Sequence, residues 1–146
     1  ITTDWFRAAK MMGVEVFEMC GGEWTKTGKS QMGRWTDDKK KEFRFMLPED
    51  VLLVFDEVHR GKGEATQNAF LVRDSVNQNI PAIALSATIA DDPTKLWALG
   101  QFLGLHQGGG DYFRFLSQNG CRKTRFGMQF TGGHSVLKRF QSEAIG

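Results

Sequence analysis

The feature that most constrains this sequence is a short apolar run, residues 51–55, which ends directly in Asp56-Glu57-Val58-His59. A continuous apolar run between polar segments is typical of a parallel strand that is buried on both faces of its sheet. A second apolar run, residues 82–85, ends in Ser86-Ala87-Thr88, and a helical pattern over about 65–77 lies between the two runs. This order predicts a βαβ unit with a right-handed crossover.

Polar residues follow both predicted strands at the point where each strand ends. Ligands of open α/β sheets bind beyond the carboxyl ends of the strands, so both polar clusters are expected at one binding edge. Of the adjacent carboxylates Asp56 and Glu57, one can hold Mg²⁺ while the other polarises a water. Nucleoside triphosphate hydrolysis requires that division of labour. The alternative is a pair of loop acids that caps the next element.

Composition restricts the class of protein. The 146 residues include 19 Lys+Arg and 17 Asp+Glu, a net charge of +2, and 40% are hydrophobic. These values are typical of one globular domain and exclude a strongly basic or acidic chain. No apolar run approaches the length of a membrane span, and no signal-peptide pattern follows Ile1. Cys20 and Cys121 lack the spacing of a zinc site, so we expect reduced thiols in an intracellular protein.

The remaining pattern adds helices and one further strand. We expect a first helix that Thr3 caps and Gly13 ends, then a strand over 14–19. Asp92 and Pro93 begin a helix that ends at Gly104, with Leu96, Leu99 and Leu103 as its buried stripe. A short helix capped by Asp111 precedes a loop or short strand over 121–133, and a last helix is expected over 134–144.

Two basic stretches are candidate contacts for nucleic-acid phosphates. The first is a basic loop insertion over about 20–46, in which residues 43–46 alternate like a strand and suggest a hairpin. The candidate residues are Lys39, Lys40, Lys41 and Arg44 in this insertion, and Arg122, Lys123 and Arg125 in the second stretch. The alternative for both stretches is a solvated surface.

We assign expected positions to the tryptophans and histidines from the sequence patterns around them. Trp24 and Trp35 lie in the basic insertion and are candidates for stacking on bases, whereas Trp5 and Trp97 lie in helical patterns and are expected in the core. His106 and His134 have no partner at catalytic spacing. We therefore expect both histidines at the surface or at helix ends.

Residues 51–59 resemble the Walker B, or DExH, motif of superfamily 2 helicases and translocases, and residues 85–88 resemble their Ser-Ala-Thr motif. The stretches 33–35, 60–63 and 98–106 resemble viral and phage-type members. The resemblance implies an α/β, RecA-like P-loop NTPase fold with a parallel central sheet flanked by helices. Residues 1–146 would be part of the first motor domain of a parent that couples ATP hydrolysis to movement on DNA or RNA. The resemblance also implies a second RecA-like domain in the parent chain and an intracellular location, which would be the cytoplasm of the host cell if the protein is viral.

The same resemblance implies roles for individual residues. Asp56 would coordinate Mg²⁺ on the ATP phosphates, and Glu57 would act as the catalytic base. His59 would contact the nucleotide site and link its state to the second domain. Ser86 and Thr88 would hydrogen-bond the 56–59 segment and couple hydrolysis to movement.

One departure from the family pattern is serious. The phosphate-binding loop G-x-x-x-x-G-K-[ST] has a near-match at Gly28-Lys29-Ser30, but Glu23 stands where the pattern needs glycine, and only 27 residues separate Lys29 from Asp56. We therefore expect the phosphate loop upstream of Ile1 and little ATPase activity in the isolated chain. The alternatives are a nucleic-acid-binding or partner-binding module without hydrolysis, derived from a motor domain, and another P-loop ATPase, against which the Ser-Ala-Thr motif argues.

Overall fold

The computed structural model describes residues 2–16, 32–36, 38–39, 41–61, 66–86, 92–133 and 138–139. The helices are α1 (Thr2–Met12), α2 (Gln67–Asn77), α3 (Trp97–Phe102) and α4 (Gly109–Gln118), with 3₁₀ turns at Val58–Gly61 and Pro93–Lys95. The strands are β1 (Gly33–Trp35), β2 (Phe43–Phe45), β3 (Leu53–Phe55), β4 (Ala82–Ala84), β5 (Cys121–Thr124) and β6 (Gly127–Phe130). Within these ranges the fold is mixed α/β with small sheets, one of which is parallel.

The predicted strand–helix–strand unit is present. Strands β3 and β4 pair in parallel, with Val54 opposite Ile83, and helix α2 connects them in sequence. The helix begins after Thr66, whose hydroxyl accepts the amide hydrogen of Ala69 at 3.1 Å. This side-chain cap satisfies one of the amides that a helix start leaves without a partner.

The expected burial of both faces of the parallel pair is wrong. Val54 and Ile83 are 42% and 45% exposed, and Leu52 beside them is 54% exposed. The opposite face packs against the core through Phe55 and Ala84. The apolar runs were interpreted as two-sided burial, but the described elements cover only one side of these two strands.

The main core forms where α2, α3 and α4 meet. Its centre contains Ala69 and Val72 from α2, Leu99 from α3, and Tyr112 and Leu116 from α4. Cohesion of this kind comes from removing apolar surface from water, roughly 25 cal/mol per Å². One face of the parallel pair packs against this core through Phe55 and Ala84.

The predicted helix from Asp92 to Gly104 forms in two pieces. Asp92 accepts the amide hydrogen of Thr94 at 2.8 Å and caps a 3₁₀ turn, and α3 begins only after Leu96. Gly104, with a φ of +72°, follows the helix as expected, because glycine adopts this left-handed conformation without a steric penalty.

Helix α4 corrects the expected role of Asp111. The N-cap is Gly108, and Asp111 lies in the first turn, where its carboxylate pairs with Arg114 and accepts the amide hydrogen of Gln107 at 2.7 Å. These hydrogen bonds, from Arg114 first and Gln107 second, lower the pKa of Asp111. The residue stabilises the start of the helix from inside it rather than from the cap.

Some of the remaining predictions are confirmed, some are wrong, and some concern residues outside the described ranges. Helix α1 is confirmed, although it begins one residue before Thr3. Residues 14–16 are irregular, so the strand expected over 14–19 is wrong in its described part. The loop or short strand over 121–133 is an antiparallel hairpin, β5–β6. Of the last helix, only residues 138–139 are described, and they are helical. No described helix has the length and apolar character needed to cross a membrane.

Candidate functional site

The carboxyl ends of β3 and β4 are tied together beyond their ladder. Leu85 donates its amide hydrogen to the carbonyl of Phe55 at 2.9 Å, and Val58 donates to the carbonyl of Leu85 at 3.0 Å. These bonds bring the segment after β3 beside the segment after β4. The polar residues that follow the two strands therefore meet at one edge, where open α/β sheets bind ligands.

Glu57, His59 and Ser86 come together at this edge. His59 Nδ1 lies 2.9 Å from Glu57 Oε2 and 3.3 Å from Ser86 Oγ. Glu57 accepts the hydrogen on Nδ1, since an ionised carboxylate can only accept, and this contact fixes the orientation of the ring. His59 and Glu57 remain accessible, with side chains 36% and 40% exposed. One histidine thus contacts residues from both strand ends.

The backbone of Glu57 is in an uncommon conformation. Its φ is +53°, in the left-handed region that non-glycine residues rarely occupy and that costs on the order of 1–3 kcal/mol. Asn79 also has a positive φ, but it lies just beyond α2, where asparagine tolerates this conformation. Strain of this kind in a glutamate directly after a strand is typical of functional sites.

Asp56 fits the chemistry of a phosphate-bound Mg²⁺ ion. Its side chain is exposed at the end of β3, and Mg²⁺ is commonly bound by one or two carboxylates together with substrate phosphates. No group of three His, Cys, Asp or Glu side chains in the described part of the chain could hold a metal by itself. Thr88, the other predicted coupling residue, lies outside the described residues.

A separate cavity of about 450 Å³ lies at the opposite end of the parallel pair. It is lined by residues that precede β3 and β4 or belong to their neighbours, including Leu47, Val51, Gln78 and Pro81. It is therefore remote from the polar strand ends, and we assign it no part in the predicted chemistry.

The basic insertion contains the β1–β2 hairpin. Of the candidate cations, Lys39, Lys41 and Arg44 are exposed, and Lys40 lies outside the described residues. Trp35, a predicted stacking residue, is half-buried with its ring centroid 5.0 Å from that of Phe43, edge to face. Part of the Trp35 ring is therefore in contact with Phe43 within the hairpin.

Two side chains that sequence reasoning missed, one within α2 and one at its C-cap, hold this hairpin in place. Asp74, 2% exposed, accepts the amide hydrogen of Phe43 at 2.7 Å. Gln78 accepts the amide hydrogen of Phe45 at 3.0 Å and donates to the carbonyl of Phe43 at 2.8 Å. Asp74 and Gln78 thus bond the edge of β2 as a neighbouring strand would. The only sequence signal was an acidic residue among apolar positions of a helix.

The second basic stretch forms the β5–β6 hairpin, on which Arg122, Lys123 and Arg125 are exposed. Its first residue, Cys121, is a buried free thiol. Burial, together with the negative charge of Asp92, raises the pKa of this thiol to about 11. Cys121 therefore agrees with the prediction of a reduced cysteine, while Cys20 lies outside the described residues.

His106 is buried, so of its two expected positions the surface is wrong, whereas a position at helix ends agrees with its contacts to Leu96 and Gly108, the N-cap residues of α3 and α4. The side chain is 2% exposed, and its Nε2 donates to the carbonyl of Leu96 at 3.1 Å while Nδ1 accepts the amide hydrogen of Gly108 at 3.0 Å. Both ring nitrogens are satisfied, which removes most of the cost of burying the ring. His134 lies outside the described residues.

Of the tryptophans expected in the core, Trp97 packs edge to face on Phe70 with ring centroids 5.8 Å apart, as predicted. The side chain of Trp5 and the whole of Trp24 lie outside the described part of the chain.

Comparison with known proteins gives one partial match. Over 58 residues, 38% of this chain, the sequence is 40% identical to a protein of Acanthamoeba polyphaga mimivirus named "Putative ATP-dependent RNA helicase L364". The match spans 11% of that protein's length. No protein-family model matches the chain. No solved structure matches it.

Proposed function

We propose that this chain is part of the first RecA-like motor domain of a superfamily 2, DExH-type helicase or translocase. The observation that carries the proposal is the contact of His59 with both Glu57 and Ser86, which joins the Asp-Glu-x-His segment to the Ser-Ala-Thr segment. The partial match to a viral protein with a helicase name supports it. The parent protein would hydrolyse ATP with Mg²⁺ and move on DNA or RNA.

Each residue at the strand ends has a role in this proposal. Bound ATP–Mg²⁺ would supply the phosphoanhydride bond and the charge that activates it. Asp56, exposed at the end of β3, would hold the metal, and Glu57 would take a proton from the attacking water. His59 orients the Glu57 carboxylate, and its second contact, to Ser86, connects that carboxylate to the end of β4. Thr88 would act with Ser86.

The proposed partners follow from the exposed cations and the family. The two basic hairpins would contact phosphates of the nucleic acid, through Lys39, Lys40, Lys41 and Arg44 on one and Arg122, Lys123 and Arg125 on the other. A second RecA-like domain of the parent would close on the nucleotide from the side of His59, inside the cell.

The test is an NMR titration of the 146-residue chain with ATP and Mg²⁺, because NMR detects binding at millimolar affinity. We expect amide shifts at residues 56–59 and 85–86, and Asp56→Asn should weaken the magnesium-dependent binding about tenfold, or about 1.4 kcal/mol. Asp50→Asn, an exposed acid ahead of β3, is the matched control and should change little. Shifts confined to the basic hairpins would contradict the proposed site.

Phosphate release by the same chain tests the position of the phosphate loop. We expect turnover near the uncatalysed background, with or without an oligonucleotide. Robust turnover that Glu57→Gln abolishes would place the phosphate loop within these residues and contradict the interpretation of Gly28-Lys29-Ser30 as a chance match.

A second candidate function is nucleic-acid binding without hydrolysis. The observation that favours it is the concentration of exposed cations on the two hairpins, which does not depend on the nucleotide site. Oligonucleotide binding without any ATP-dependent shift at residues 56–59 would support this function over the motor.

A further inference from the structure

The β5–β6 hairpin is anchored at its base and exposed at its tip. Cys121 is buried at the base, and Met128 and Phe130 pack against the main core. At the tip, the amide of Phe126 donates to Thr124 Oγ1 at 3.1 Å, and this hydroxyl donates to the carbonyl of Gly127 at 3.0 Å. The turn is thus closed by its own hydrogen bonds, yet Phe126 is 75% exposed.

The tip of this hairpin is also strongly basic. In the register of the hairpin, Arg122 lies opposite Gln129 and Lys123 opposite Met128, so the two cations lie on opposite faces of the ribbon. The guanidinium of Arg125 lies 4.7 Å from the centroid of the Phe126 ring. Residues 112–142 contain no Asp or Glu and six cations: Arg114, Arg122, Lys123, Arg125, Lys138 and Arg139.

We propose that the β5–β6 hairpin binds single-stranded nucleic acid, with Phe126 at its tip stacking on an unpaired base and Arg122 and Lys123, one on each face of the ribbon, contacting phosphates on either side of that base. The inference deepens the proposed function, on which it rests, by naming the part of the chain that contacts the nucleic acid and the form of strand that it takes.

The chemistry of the tip favours a single strand over other anions. An exposed aromatic ring among cations matches the alternation of base faces and phosphates in an unpaired strand, and stacking tolerates any base sequence. In a duplex the base faces are covered by their neighbours, so Phe126 would have no ring to stack on. Because Arg125 lies over the Phe126 ring, it adds a cation–π contact that holds the ring in position.

The first test is fluorescence anisotropy of the 146-residue chain with labelled 20-nucleotide oligomers of deoxythymidine and of uridine. Phe126→Ala should weaken binding by about 5-fold to 150-fold, the range for loss of one stacked base. Phe126→Trp should retain or improve affinity. Phe113→Ala removes another exposed phenylalanine, on α4, and should stay within twofold of wild type.

The salt dependence of the same binding tests the phosphate contacts. The double variant Arg122→Gln/Lys123→Gln should lower the slope of log affinity against log salt by about 1 to 1.5, because each phosphate contact on a single strand contributes about 0.7. The double variant Arg7→Gln/Lys10→Gln removes one exposed Arg and one exposed Lys from α1 and should leave the slope unchanged.

The outcomes separate this inference from the proposed motor function. Equal affinity of wild type and Phe126→Ala, or equal competition by polyglutamate and by the oligonucleotide, would overturn it and indicate an unspecific polyanion surface. Tighter binding of a blunt duplex than of single strands would also overturn it. Phe126-dependent binding with no ATP-induced shifts at residues 56–59 would support the hairpin and contradict the expected nucleotide binding at the strand ends of this chain.

Discussion

The two basic hairpins have the same antiparallel geometry but are attached to the protein in different ways. In β1–β2 the aromatic residues Phe43 and Phe45 are buried, and Asp74 of α2 and Gln78 at its C-cap bond the edge of the second strand. In β5–β6 the base is buried at Cys121, while the aromatic residue Phe126 faces solvent. Both hairpins combine cations with aromatic residues, but the aromatic residues of β2 anchor the first hairpin in the core, whereas Phe126 leaves the tip of the second exposed.

The difference shows how a short strand is held when no full sheet surrounds it. A three-residue strand forms few ladder bonds, so β2 depends on side chains of a helix to satisfy its outer edge. Buried backbone groups without partners would cost about 1–3 kcal/mol each. The β5–β6 hairpin has longer strands, four residues each, and stands with its tip free of the core.

The largest expected effect comes from removing the side-chain hydrogen bond by which Asp74 holds β2 against α2. Asp74→Ala leaves the amide of Phe43 without its acceptor and the largely buried Arg73 without its carboxylate, which should cost about 3–5 kcal/mol in the free energy of unfolding. Urea denaturation followed by circular dichroism measures it. Asp111→Ala breaks the exposed pair with Arg114 and should cost much less. Equal losses in the free energy of unfolding for the two variants would show that the buried contacts of Asp74 stabilise the protein no more than an exposed ion pair does.

The next effect concerns the buried base of β5–β6. Because the pKa of Cys121 is about 11, its thiolate is about 100-fold scarcer than that of a thiol with the ordinary value of 9.0 at any pH well below both. In a Cys20→Ser background, Cys121 should react with a thiol reagent at least 100-fold more slowly than a cysteine placed at the exposed tip by Phe126→Cys. The rate should rise about tenfold per pH unit up to about pH 11. Rapid labelling of Cys121 at pH 7 would argue that the base of the hairpin opens.

The smallest effects compare one glycine in each hairpin. A Cβ at Gly33 would lie 2.4 Å from the ring of Phe43 and 2.6 Å from the carbonyl oxygen of Arg44, so Gly33→Ala should destabilise by about 1–3 kcal/mol through overpacking. Gly127 has open space but a φ of +105°, so Gly127→Ala should cost on the order of 1 kcal/mol through backbone strain. Thermal unfolding checks both, and a larger loss for Gly127→Ala would show that backbone strain in the exposed hairpin outweighs close packing in the anchored one.

Sequence patterns predicted several features correctly because these depend on nearby residues or on the order of the elements along the chain. Helix α2, the cap at Asp92 and the parallel pairing of β3 with β4 follow from periodicity, capping chemistry and strand order. The polar residues of the candidate site were placed at one edge by the same logic, and Glu57, His59 and Ser86 do meet there.

The errors and omissions arose where a distant partner decides the outcome. Asp74 and His106 are polar residues that the sequence places on or near helices, where solvent is the default environment. Each is buried because backbone groups far along the chain or across a turn satisfy it, such as the amide of Phe43 for Asp74. Val54 and Ile83 show the converse, since an apolar run reports a preference for burial and not which surface will cover it.

The contact between α3 and His106 links two positions of the sequence. A Cβ added at Gly100 would lie 2.7 Å from Nε2 of His106, the atom that bonds the carbonyl of Leu96. Any larger residue at this position would therefore clash with the imidazole for as long as His106 stays in place. Across descendants of this gene, we expect larger residues at position 100 only in lineages that first exchange His106 for a smaller side chain, so that the order of the two substitutions is itself determined by the packing.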